Sequence, residues 1–250
     1  MSAVLAHRGS EVLRKGVKLA ALLRDPAYRK ALRRRVPASV EHRTVAFEHG
    51  FASIVDLGAN RGQFALFALR EFPQALLYCF EPFPRARAQL AQITANRSRV
   101  RIFDLAVGAA DGEHTLHVSA LDHSSSLLPI TQRLTREFPG TYEQEQVTVR
   151  TTRLDAVLER TDLPSPSLLK IDVQGYELEA LRGAKGLLPY FAEVLVEGSF
   201  VEFYAGQPLA GEIVTLLDAS GFRLAGVFSV MRGKGGECLQ ADFLFVNRQP

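Results

Sequence analysis

The stretch IVDLGANRGQFALFAL, residues 54–69, decides how the chain is read. Apolar residues lead into Asp56, glycines follow at 58 and 62 with Asn60 between them, and apolar residues then return at helical spacing. That pattern is a strand turning tightly into a helix. In a doubly wound sheet, ligands bind beyond the carboxyl ends of such strands. Glycines there let a ligand approach the backbone, and the new helix offers free N–H groups. An acid at position 56 suits a cationic group, a hydroxyl or an amine better than a pyrophosphate.

Outward from this seam the alternation continues. Strand patterns cover 53–58, 75–82 and 100–108, with helical patterns at 63–72 and 85–96 between them. Residues 108–150 break the rhythm: strand-like runs at 113–119 and 146–152 flank a polar, Ser-rich stretch. Strands at 167–173 and 192–198, helices at 176–188 and 209–221, and final strands at 222–228 and 241–247 complete the chain. This predicts an α/β fold, a mostly parallel sheet with helices on its faces. The last two strands have no helix between them and pair antiparallel through RGKGGE at 232–237. Residues 1–50 read as an N-terminal helical appendage to a domain at 51–250. Val12, Leu13, Val17, Ala20 and Leu23 predict one apolar stripe. Asp25 and Pro26 open a second helix, Arg33 to Arg35 suit its end, and Pro37 stops it.

With 250 residues, 47% of them hydrophobic, the chain can bury a large single core. Its net charge of +3 is unevenly spread. Residues 1–50 carry eleven Lys/Arg against four Asp/Glu, a net of +7, so the rest carries −4. The basic segment is a solvated helical face or a contact for an anionic surface or partner. No apolar run is long enough to span a bilayer, no secretory signal is evident at the N-terminus, and a cytoplasmic location is expected. Cys79 and Cys238 form neither a disulfide framework nor a metal-ligand pattern, and Cys79 reads as a buried hydrophobe.

Glu81 ends the second strand, nineteen residues after Gly62. An acid there can accept both ribose hydroxyls of a nucleotide. The loop reads G-x-x-x-G, not G-x-G-x-x-G, and lacks the Walker lysine-serine/threonine pair, which argues against a P-loop, and Asn60 argues against an NAD-dependent oxidoreductase. That enzyme class, and a cofactor-binding protein without catalysis, stand as alternatives. No nucleic-acid partner is expected: the chain has no tryptophan, shows no aromatic-basic interleaving, and reads KIDVQGY where base-amine methylation carries an Asn/Asp-Pro-Pro-aromatic motif.

Six blocks then occur in order: VDLGANRGQFAL (55–66), FEPFPRARAQL (80–90), LAVGAADGEHTLHVS (105–119), SSSLL (124–128), TTRLDAVL (151–158) and LLKIDVQGYELEALRGA (168–184). Together they resemble the FkbM family of S-adenosylmethionine-dependent methyltransferases, over about residues 51–198 and more weakly to the last strand. KIDVQGYELEALRGA (170–184) is the most specific piece, and Gln174 departs from it, since the family more often has Glu. The resemblance implies a class I methyltransferase (Rossmann-like) fold, a mostly parallel seven-stranded sheet with an antiparallel last strand. It implies S-adenosyl-L-methionine as cofactor and a hydroxyl of a sugar, glycan or secondary metabolite as acceptor. It further implies that Asp56, Gly58, Asn60 and Gly62 cradle the amino-acid part of the cofactor and that Glu81 holds its ribose. Pro82 and Phe83 would lie near the adenine, with the backbone from Asp104 to Ala106 on its other side.

Methyl transfer to a hydroxyl needs an aligned acceptor and a proton acceptor. Asp172 ends the strand LLKID, so it is expected in the cleft beside the cofactor as acceptor-positioning group or general base. Its alternative role is to cap the next helix. Lys170 shares its strand face and can keep it ionised. Glu197 ends the next strand in an equivalent position, and Glu177 reads as a surface acid suited to a helix start. His123, beside Ser124 to Ser126 in the irregular insertion, is a third candidate base. All cofactor residues lie beyond 51, so removing residues 1–36 is expected to spare cofactor affinity.

Overall fold

A computed structural model describes residues 16–249. Helix α1 is described over 16–24 and is followed by α2 (Pro26–Arg33) and a 3-10 turn (Val40–Thr44). Asp25 caps α2 as expected, its Oδ1 accepting from Ala27 N at 2.8 Å, and Pro26 takes the first helical position. The helix stops at Arg33, before Pro37, with Arg35 in left-handed backbone at φ 61°. The predicted apolar stripe is corrected. Val12 and Leu13 lie outside the described residues, and Val17 and Leu23 are 63% and 48% exposed. Leu22, one step round the helix, is the buried residue instead.

The main sheet is laid down by β1 (Ser53–Leu57), β2 (Leu76–Phe80), β3 (Val100–Phe103), β7 (Ser167–Ile171), β8 (Glu193–Ser199), β9 (Phe222–Arg232) and β10 (Cys238–Asn247). Their order is β3-β2-β1-β7-β8-β10-β9. Only β10 runs against its neighbours, pairing antiparallel with both β8 and β9. Helices α3 (Gln63–Glu71), α4 (Pro84–Ile93), α6 (Glu177–Gly183) and α7 (Ala210–Ala219) connect the strands. The first strand is buried at every position, as a strand covered on both faces must be. Val55 and Leu57 pack on one side with Phe80, Ile171 and Val196. Ile54 packs on the other with Leu77, Leu168 and Leu195.

The run 100–108 is not one strand. It breaks at Asp104: β3 ends the main sheet, while β4 (Ala106–Val107) joins β5 (Gly112–Ser119) and β6 (Glu143–Thr152) in a second sheet, order β4-β6-β5. A 3-10 turn (Asp122–Ser124) and α5 (Gln132–Glu137) fill the insertion between β5 and β6. Leu116, Val118 and Val149 of this small sheet pack on Phe83 and Ala86, which sets it above the carboxyl ends of β1 and β2. The helical pattern at 176–188 is likewise shorter, ending at Gly183, where an added Cβ would lie 2.1 Å from Gly108 O.

The N-terminal segment packs onto the sheet domain. Leu22, Tyr28, Ala31, Val36, Ala38 and Val40 form a cluster with Leu66 of α3, and Ser39 N donates to Gln63 O at 3.0 Å.

Candidate active site

Backbone shape sets the floor of the site. Gly58 has φ 80°, and a Cβ there would stand 1.9 Å from the carbonyl oxygen of Asp172, so no side chain fits between the ends of β1 and β7. Asn60 also takes the left-handed region, at φ 47°, a placement that asparagine tolerates better than most residues. Its amide N–H donates to Glu81 Oε2 at 2.7 Å, and Phe83 N donates to Glu81 Oε1 at 2.8 Å. Glu81 is thereby fixed at the end of β2, 6% exposed, and burial pushes its pKa up to about 7 against the pull of those two donors.

A cavity of about 320 Å³ opens over this floor. One side is formed by Gly58, Asn60, Glu81, Pro82, Phe83 and Ala106, and the other by Lys170, Asp172, Val173, Gln174 and Tyr176. His123 lies over it from the insertion. That donor set fits S-adenosylmethionine. A fixed carboxyl suits ribose hydroxyls, an anion suits a sulfonium with its ammonium, and an apolar wall of Phe83 and Ala106 suits an adenine. The glycine turn forms no phosphate cradle.

The charged groups meet at the ends of β1, β7 and β8. Lys170 Nζ lies 3.4 Å from Asp56 Oδ1 and 3.2 Å from Asp172 Oδ2. Burial works against its charge, but the two carboxylates outweigh it and raise its pKa. Asp172 gains correspondingly. Desolvation opposes ionisation, yet Lys170 and hydrogen bonds hold its carboxyl below the ordinary range. The Gln174 amide donates to Asp172 Oδ1 at 2.7 Å and to Glu197 Oε2 at 2.8 Å. Glu197 is pushed well above the ordinary carboxylate range, first by burial and then by Asp172, Asp242 and Glu177.

Eight predicted residues line the cavity: Gly58, Asn60, Glu81, Pro82, Phe83, Ala106, His123 and Asp172. Four others do not. Asp56 is 0% exposed and faces Lys170 beneath the floor, because β1 is covered on both faces. Gly62 serves packing, since a Cβ there would meet Ile93 Cδ1 at 2.4 Å. Asp104 is turned outward into an ion pair with Arg87 at 2.5 Å, its side chain 55% exposed. Glu197 stands behind Gln174 and reaches the site through it. Two further readings are corrected. Asp172 does not cap α6, whose side-chain acceptor at this turn is Glu177, taking a bond from Gly175 N at 2.9 Å. Glu177 is a buried acid, 2% exposed, with its pKa raised by burial to about 7.

The sequence reading missed one wall altogether. Lys18, Ser39, Glu41 and His42 of the N-terminal segment line the cavity, with Lys18 donating to Glu41 Oε1 at 3.0 Å. Their spacing carries no chemical motif, and only the fold brings them to the carboxyl edge. Among the described residues of 16–36, Lys18 forms part of the cavity rim.

Residues 56–224 match the family model described as the Methyltransferase FkbM domain. The 2-O-methyltransferase NoeI of Sinorhizobium fredii is 29% identical over 236 residues, which is 91% of this chain and 95% of that protein. The 31-O-demethyl-FK506 methyltransferase FkbM of Streptomyces tacrolimicus is 28% identical over 193 residues, 68% of this chain and 72% of that protein. Among solved structures, a methyltransferase FkbM from Methylobacillus flagellatus shares the fold with a TM-score of 0.50 at 12% identity. The match covers 94% of this chain and 60% of that one.

Proposed function

The chain belongs to the FkbM methyltransferase family and is an S-adenosylmethionine-dependent methyltransferase, and we propose that its acceptor is a hydroxyl of a sugar, glycan or secondary metabolite. Two observations support that acceptor class. The similar proteins named above are a 2-O-methyltransferase and a methyltransferase of 31-O-demethyl-FK506. The second carries the reading: one carboxylate, Asp172, is held at the cavity by Lys170 and Gln174 and kept ionised there. A neutral hydroxyl is a weak nucleophile, so its attack is assisted by a group that takes its proton as the new C–O bond forms.

Glu81 would accept hydrogen bonds from the ribose hydroxyls, with Phe83, Pro82 and Ala106 against the adenine. The open backbone from Gly58 to Asn60 would leave room for the amino-acid portion. When bound, S-adenosylmethionine would supply an electrophilic methyl group, whose bond to sulfur breaks as the bond to the acceptor oxygen forms, the thioether leaving with the electron pair. Asp172 then accepts a hydrogen bond from the acceptor hydroxyl, orients it and receives its proton, while Lys170 balances the charge on the carboxylate before that transfer. His42 and Glu41 bound the acceptor side, so a polyhydroxylated ligand finds both donors and acceptors there. Family membership decides against the oxidoreductase alternative.

The deciding experiment incubates the protein with S-adenosylmethionine labelled in its methyl group and a glycan and metabolite extract. The expected product carries the label as a methyl ether that survives mild base. Label recovered only as a methyl ester or methylamine would overturn the hydroxyl assignment.

A further inference from the structure

Gln174 occupies the turn between β7 and α6 in left-handed backbone, φ 53°, followed by Gly175 at φ 97°. An added Cβ at Gly175 would stand 2.9 Å from the Tyr204 ring, so the turn lies flat on that ring and its geometry is fixed. From this strained turn the side chain makes three contacts. Its nitrogen donates one hydrogen to Asp172 Oδ1 at 2.7 Å and the other to Glu197 Oε2 at 2.8 Å. Its oxygen accepts from the Tyr204 hydroxyl at 2.9 Å. This sense suits the ionised Asp172, since turning the amide would set its oxygen against a carboxylate that can only accept. With Lys170 on Oδ2 and Gln174 on Oδ1, both oxygens of Asp172 are held and the carboxylate cannot rotate. The same phenol lies 3.1 Å from Ser124 O, beside the cavity-lining His123.

We propose that Gln174 is a positioning residue for methyl transfer: its amide fixes Asp172 against the acceptor hydroxyl and joins it to Glu197, while the Tyr204 hydroxyl donates to its oxygen and holds the amide in this sense. The inference rests on the reading of Asp172 above and deepens it. A neutral amide matters here because the surroundings are crowded with acid. Glu177 on α6 and Asp242 on β10 act on Glu197, and Asp56 on β1 acts on Asp172, against Lys170 and, 3.9 Å from Asp242, His42. Gln174 supplies two donors without adding charge. A glutamate at this place would add a further carboxyl, which could donate one bond while protonated and none once ionised.

The test compares Gln174→Met and Gln174→Glu with the unaltered chain and with Asp172→Asn. The first readout is a pH titration of side-chain carboxyl carbons by NMR on the whole protein. Loss of the amide donor in Gln174→Met is expected to make Asp172 hold its proton about tenfold more tightly. The second is the rate of label transfer to the glycan and metabolite extract. Gln174→Met is expected to fall by about 10–100-fold at every pH, with the KM for S-adenosylmethionine unchanged, because a carboxylate free to swing is misplaced. Gln174→Glu is expected to work below neutrality and to lose activity as pH rises and the added carboxyl ionises, a limb the unaltered chain lacks. An unmoved Asp172 titration in Gln174→Met overturns the proposal, as does a Gln174→Glu profile without the alkaline limb. Should Gln174→Met not fold, Gln174→Glu alone carries the test. A slow Asp172→Asn beside unaffected Gln174 variants rejects the positioning role alone. Normal transfer by Asp172→Asn rejects the reading on which it rests.

Discussion

Strand β8 carries two acids four residues apart, on the same face of the pleat, and the chain treats them in opposite ways. At the amino end, Glu193 has a side chain with 0% exposure. Its Oε1 accepts from Glu48 N at 2.9 Å, His49 N at 3.0 Å and His49 Nδ1 at 2.7 Å. All three donors belong to one turn, so the acid acts as a fastener that holds residues 48–49 under the sheet. At the carboxyl end, Glu197 is held by one side-chain amide, which also holds the cavity-lining Asp172. Acids fixed by backbone donors from a single turn stabilise the fold. Acids fixed by side chains at the open edge act on the cavity, Asp172 directly and Glu197 through Gln174. The comparison predicts that substitutions at the two ends separate stability from chemistry.

The largest expected effect is at the open end. Asp172→Asn preserves shape but cannot take a proton, so turnover should fall by about 10²–10⁴-fold while the fold and most cofactor affinity persist. Single-turnover transfer and a thermal melt on one preparation measure both. A mutant with normal turnover would break the comparison at its catalytic end and shift attention to His123, which also lines the cavity.

Next in size is Glu81→Gln. Losing a charged acceptor for two hydroxyls should cost about 1.5–3 kcal/mol of cofactor affinity, seen by calorimetric titration. The same residue gives the affinity a pH dependence. With its pKa raised by burial to about 7, Glu81 in the free protein is half protonated near neutrality. Hydroxyls donate to the ionised form, so affinity should rise with pH through about 7, by no more than about tenfold per pH step. Folding without cofactor carries the opposite sign. Glu81 and Glu177 both hold protons that an unfolded glutamate has released, so their contribution is complete below the ordinary glutamate value of 4.5 and is lost as pH rises through about 7. Glu81→Gln should flatten the affinity profile, and an equally sloped profile in the mutant would remove Glu81 from the ribose site.

Much of this arrangement is legible in the sequence. The DLGANRG turn, Glu81 nineteen residues on and the KID strand end each sit at a carboxyl end of a strand, and short continuous apolar runs locate those ends. What stays hidden depends on contacts between distant segments. Nothing local marks Asp56 as buried beneath Lys170, or Asp104 as turned outward to Arg87. Glu177 looks like an exposed helix-start acid until α6 is seen to bury that face. The Lys18–His42 wall is invisible for the same reason: its residues obey no motif, and packing of Val36, Ala38 and Val40 on Leu66 brings them in. Gln174 is the intermediate case. Its departure from the family motif is visible, but its bridge between Asp172 and Glu197 is not.

The fastener itself supplies the third prediction. Glu193→Ala strips an acceptor from two backbone N–H groups and the His49 ring, which should cost about 1–3 kcal/mol of stability. In a chain of this size that lowers Tm by about 2–4 °C per kcal/mol. Cofactor affinity should not change, because the residue lies at the far end of the strand from the cavity. A loss of affinity matching the loss of stability would mean that the two ends of β8 are coupled, and the separation drawn above would fail.

The smallest effect concerns the exposed side of α1. Among the described residues, no helix is long and apolar enough to cross a membrane. Yet α1 exposes Val17, Leu19 and Leu23 by 63%, 50% and 48%, and residues 1–50 carry a net charge of +7. Each lysine or arginine near an anionic bilayer contributes about 1 kcal/mol at low salt, and the attraction fades as the Debye length shrinks. Partial exposure of three aliphatic side chains adds only a modest apolar contribution. The expected outcome is weak co-sedimentation with vesicles containing anionic lipid at low salt, lost at high salt and absent with neutral vesicles. Because Lys18 of this helix also lines the cavity, bound vesicles should alter acceptor KM before they alter cofactor affinity. Equal sedimentation at both salts, or none at either, would assign the basic face to solvent and leave α1 as a wall of the cavity alone.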